Sequence, residues 1–183
     1  MTTDVVAEPA RSRWTSRGTL AQLAAVLGAV TVAVSLSLHW FDFVAADPGS
    51  TGSHFGPIDI PLKFLVDSQR LVFFEHPSIL VVLIPAVVLG VLGALLLIRT
   101  LVFVAAGVAL VVPGLFAYQI QQLIDSVDRR HVRGAPSVSL TDLLGVGAYV
   151  CAIAAVVMIV GGWWLRSSES LESAGRDRLA DDQ

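Results

Sequence analysis

Charge is what this sequence is short of. Only 15% of its 183 residues are Asp, Glu, Lys or Arg, where an ordinary soluble domain carries about 25%. A soluble fold of this size needs a charged surface to stay dispersed, so the deficit argues against one. Lys63 is the only lysine. With a net charge of −3, no basic surface for nucleic acid is implied. Cys151 is the only cysteine, which excludes an intrachain disulfide and leaves the redox compartment unreadable.

Chemical signatures are missing too. No Gly-x-Ser-x-Gly occurs, and the lone cysteine lies in an apolar run, so no nucleophile motif is present. The glycines of residues 49–56 are not followed by Lys-Ser or Lys-Thr at phosphate-loop spacing. No catalytic residue, cofactor site or metal ligand is therefore assigned, and the chain is not expected to be an enzyme.

What the sequence has is apolar length. Hydrophobic residues make up 55% of it. Four runs stand out, at about 19–40, 78–98, 101–118 and 143–165. A helix needs about 20 residues to cross a hydrocarbon core about 30 Å thick. Residues 78–118 would form a straight helix of about 60 Å, so the chain must turn near Arg99. These spacings predict an all-α integral membrane protein, a four-transmembrane-helix bundle. A signal peptide is the competing reading of the first run, but signal cores span only about 7–15 residues. The polar segment 1–18 reads as a cytoplasmic tail, and 166–183 as a disordered, charged, Ser-rich one.

Orientation follows from the arginines. With the N-terminus inside, Arg11, Arg13, Arg17, Arg99, Arg166, Arg176 and Arg178 lie on the cytoplasmic side. Lys63, Arg70, Arg129, Arg130 and Arg133 lie outside. Basic residues concentrate inside, so both termini are expected in the cytoplasm. Trp14, Trp163 and Trp164 then mark the inner interface, and Trp40, Phe41 and Phe43 the outer one. Arginine in place of lysine, with abundant Ala and Val, points to a GC-rich bacterial genome and hence a bacterial inner membrane.

Small residues recur at a spacing of four. Helix one carries Ala21, Ala25, Ala29, Ala33 and Ser37, helix two Ala86, Gly90 and Ala94, and helix four Gly147, Cys151 and Ala155. Lipid tails are as apolar as Leu, so close backbone approach at small residues holds such helices together. These rows suit either burial within one bundle or the pairing of copies. Pro85 and Pro113 interrupt helices two and three and tend to kink them. Thr31, Ser35 and Ser37 read as hydroxyls bonded back to their own helix.

Two outer segments read as ordered. Ile120, Leu123, Ile124 and Val127 continue the helical pattern past Tyr118, extending helix three to about 128. In residues 42–77, Leu62, Leu65, Val66, Val72 and Phe73 fit one helical face, and Ile58, Ile60, Leu62 and Phe64 fit a strand. The helix is favoured, because Pro61 demotes a strand. An exposed apolar stripe should be covered, so this loop is expected to fold onto the extension as a small extracytoplasmic cap. The polar side of that cap, with Asp125, Asp128, Arg129 and Arg130, would face a partner.

His39, His54, His76 and His131 all fall at or beyond the outer face, with Asp42 three residues after His39 and Glu75 before His76. Imidazole and carboxylate suit zinc or copper, but no pair shows a recognised ligand spacing. Whether the outer histidines bind a metal stays open.

The layout of short tail, longer first outer loop, tight inner hairpin, shorter second loop and inner tail resembles the claudin-like four-helix proteins. Their first loop carries a Trp with two Cys. This one has neither after Phe41, and no function is carried across. The expected role is a non-catalytic accessory, assembly or scaffold subunit of a membrane complex, partnering the lipid bilayer and either another membrane protein or a second copy. An oligomeric channel or transporter component is the alternative.

Overall fold

The computed structural model describes residues 10–42, 54–67, 74, 76–129 and 139–181. They form helices α1 (Ala10–Ser35), α2 (Leu80–Leu95), α3 (Arg99–Arg129), α4 (Leu140–Leu143) and α5 (Val146–Asp181), with strands β1 (Phe41–Asp42) and β2 (His54–Phe55). α1 packs along α5, α5 along α3, α3 along α2, and α2 back against α1. Three helices are long and apolar enough to cross a membrane, through Gly18–Ser35, Arg99–Ser126 and Val146–Leu165. α2 is apolar but has 16 residues, about 24 Å of helix.

Small residues bring the axes together, as their spacing predicts. On α1 the buried line is Ala21, Ala25, Gly28, Ala29, Val32 and Ser35. It parts from the predicted row beyond Ala29: Ala33 is half-buried and Ser37 exposed. A step of four residues overshoots a turn by about 40°, so a strict row of four walks off the contact face. Opposite lie Ala154, Ala155, Met158 and Gly161 of α5. A methyl group on Gly161 would sit 2.8 Å from the Ala25 nitrogen and 3.0 Å from the Ala21 carbonyl oxygen. Ala86, Gly90 and Ala94 of α2, and Gly147, Cys151 and Ala155 of α5, are buried as well. Leu20, Leu23, Leu27, Val30 and Val34 of α1 point away from the bundle and are exposed.

The turn between α2 and α3 falls at Leu96–Ile98, just before Arg99. The Ile98 amide donates to the Gly93 carbonyl at 2.8 Å, and Leu97 has φ 56°. This is the six-to-one bond and left-handed residue of a Schellman ending, with leucine where glycine is usual. Gly93 lets the next helix approach, since a methyl there would lie 2.8 Å from Leu101 Cβ.

Three elements differ from the sequence expectation. α1 stops at Ser35 rather than near residue 40, because the chain there is taken over by bonds to distant segments. Among the described residues of 42–77, the chain holds β2 and a four-residue 3-10 helix, Leu62–Leu65, in place of a longer helix from Leu62 or a strand over 58–64. Val66 is 84% exposed, and Val72 and Phe73 lie outside the described residues. α5 continues as helix to Asp181, through the segment whose composition predicts disorder. Extending an existing helix requires no new nucleus.

Candidate functional site

Apart from the Leu96–Ile98 turn, the described non-helical segments gather at one end of the bundle. There the chain leaves α1, pairs with β2 and meets the start of α5. The Trp40 amide donates to the Phe55 carbonyl at 2.8 Å, the Gly145 amide to the Trp40 carbonyl at 2.8 Å, and the Gly147 amide to the His39 carbonyl at 2.9 Å. Gly145 and Gly147 both lie hard against this backbone, the second also against the Trp40 ring. Any larger residue at either place would push β1 away.

Beneath this layer sits an aromatic plug. Trp40 and Phe64 both meet Phe116, at centroid distances of 5.9 and 5.7 Å. All three are fully buried, with Ile60 and Ile120 beside them. Burying Trp40 corrects its reading as an interface anchor: its ring covers the helix ends instead of lying among lipid headgroups. Trp163 and Trp164 at the other end are exposed. The 3-10 helix lies on α3, where the Gln119 side-chain amide donates to the Leu65 carbonyl at 3.1 Å. The 3-10 helix thus meets α3 at Phe116 and Gln119, through Phe64 and Leu65, while Val66 is exposed.

The polar side of α3 is partly described. Gln121 donates to Asp125 at 2.9 Å, while the side chains of Asp128, Arg129 and Arg130 lie outside the described residues. At the foot of α4, the Ser139 hydroxyl and amide hold the exposed Asp142 carboxyl below its ordinary pKa.

The most chemically distinctive group lies on top of the plug. β1 and β2 are antiparallel, with Asp42 opposite His54. His54 Nδ1 is 3.5 Å from Asp42 Oδ1, and the His39 and His54 rings are 5.0 Å apart. One ligand atom from each of His39, Asp42 and His54 fits within a mutual spacing of 4.8 Å. The sequence singled out His39 and Asp42 by proximity, but His54 is twelve positions beyond Asp42 and joins them only through strand pairing. His76 is exposed and outside this group. Glu75 and His131 lie outside the described residues.

No family model matches the chain, and comparison with curated proteins and with solved structures likewise finds no match.

Proposed function

We propose that this protein is a four-span subunit of a bacterial inner membrane, acting as an accessory, assembly or scaffold component rather than as a catalyst. α2, with the residues flanking it, supplies the fourth span. The capped end faces outward and both termini face the cytoplasm, in keeping with the arginines at 17, 99 and 166.

The observation that carries this reading is the filling of the bundle. Among the described residues, the buried polar side chains are Ser35, Ser78 and Gln119, and no buried one is charged. Ionisable groups inside a membrane are the default mark of ion and proton paths. The centre here is small residues and Met158, closed above by Trp40, Phe64 and Phe116. Such an interior favours a rigid support over a conduction path. The partner is another membrane protein, docking on the outward cap.

Purification in mild detergent, with mass spectrometry and light scattering, tests this. A second polypeptide in fixed stoichiometry is the expected result. A homo-oligomer without partner that conducts ions in planar bilayers would replace the scaffold reading with the channel one.

A further inference from the structure

We propose that His39, Asp42 and His54 bind a divalent transition metal ion of borderline softness, zinc or copper. The inference is independent of the scaffold role. It starts from ligand type: imidazole nitrogen and carboxylate oxygen are the ligands these ions take in open sites, with a further position left for water.

Distance comes next. In a tetrahedral site with bonds of about 2.0–2.1 Å, neighbouring ligand atoms stand about 3.3 Å apart. His54 Nδ1 and Asp42 Oδ1, at 3.5 Å, already have nearly that separation. The outer limit of 4.8 Å for the trio leaves at most about 1.5 Å to close against that tetrahedral edge, within reach of a side-chain rotation.

The supporting backbone is fixed independently of the side chains. His39 is held by its own carbonyl, which accepts from Gly147 at the head of α5. Asp42 and His54 are held in register by the strand pair. The three ligands therefore come from the exit of α1 and from both strands, and a bound ion ties these segments together over the plug. Asp42 and His54 are 27% and 54% exposed at their side chains, so an ion can enter from solvent.

The bland account of the same contacts is a cross-strand Asp–His pair, which has no use for His39. That residue therefore decides the matter. Tag-free, full-length protein in detergent would be stripped with chelator and titrated calorimetrically with ZnCl2. Cu2+ loading would be followed by electron paramagnetic resonance. One ion per chain is expected, with hyperfine coupling from two imidazole nitrogens. His39→Ala should weaken zinc binding at least about tenfold, the lower bound for disturbing even a supporting residue of a metal site. It should reduce the copper signal to one nitrogen while leaving the circular dichroism unchanged, since its backbone bond remains. His54→Ala should act similarly, and His76→Ala should change nothing. Absence of stoichiometric binding, or equal affinity in wild type and His39→Ala, would overturn the proposal.

Discussion

The indole N–H of Trp40 donates to the main-chain carbonyl of Ser35, the last residue of α1, at 3.0 Å. A helix leaves its final carbonyls without partners, and one left bare in a buried place is costly. Here it accepts twice, from the Leu38 amide at 3.2 Å and from the side chain five residues downstream that folds back onto it. The same ring then meets Phe116 of α3 and the turn at Gly147, so ending α1 and closing the cap are one event.

That dual role separates two substitutions. Trp40→Phe keeps an aromatic body and removes one of the carbonyl's two donors, leaving the Leu38 amide, which should cost about 0.5–1.5 kcal/mol. Trp40→Ala also opens a cavity and should cost about 3–5 kcal/mol. Thermal unfolding in detergent should rank them wild type, Phe, Ala. Equal midpoints for all three would mean the plug contributes nothing to stability.

The helix seam makes a second comparison. Ala29 is fully buried and its neighbour Val30 is 48% exposed. Ala29→Leu should lower the midpoint markedly, because overpacking costs about 1–3 kcal/mol, whereas Val30→Leu should leave it nearly unchanged. Gly161→Ala belongs with the first and Gly107→Ala with the second, since a methyl at Gly107 meets nothing within 4 Å.

How far the sequence could be read depends on the range of the interaction. Helix faces are local, so Ala21, Ala25 and Ala29 announced their burial by spacing alone. The α2–α3 turn was legible from length, to within three residues of Arg99. Trp40 was misread because an aromatic at the end of an apolar run has the same local signature whether it meets headgroups or core. Only Phe64, Phe116 and Gly147, all distant in sequence, decide between them. The pairing of Asp42 with His54 escapes a sequence reading for the same reason: no spacing rule connects them, and two-residue strands leave too short a pattern to detect.

Leu97 offers a third experiment. For a residue with a Cβ, the left-handed conformation costs about 1–2 kcal/mol, and glycine removes that penalty. Leu97→Gly should therefore be neutral or stabilising, although it deletes an exposed apolar side chain. Leu97→Val should destabilise, because branching at Cβ makes this conformation a genuine outlier. If valine is tolerated as well as glycine by calorimetry in detergent, the hairpin does not end α2 in the way described.

The last prediction joins the cap to the orientation of the chain. Ile120 is fully buried while Gln121 beside it is exposed, as successive residues about 100° apart on a helix should be when one face is covered. Val66, at 84% exposure, lies beyond the covered part of loop one. Single cysteines at these three positions, each with Cys151→Ala, can be challenged on intact cells with a membrane-impermeant maleimide. Burial predicts that positions 66 and 121 react and position 120 does not. The distribution of arginine puts the capped end outside under the proposed topology, which predicts that the reaction needs no cell lysis. The two parts can fail separately. Labelling of 66 and 121 only after lysis would invert the topology and leave the cap intact. Equal labelling of 120 and 121 would show that loop one does not cover α3, whichever side it is on.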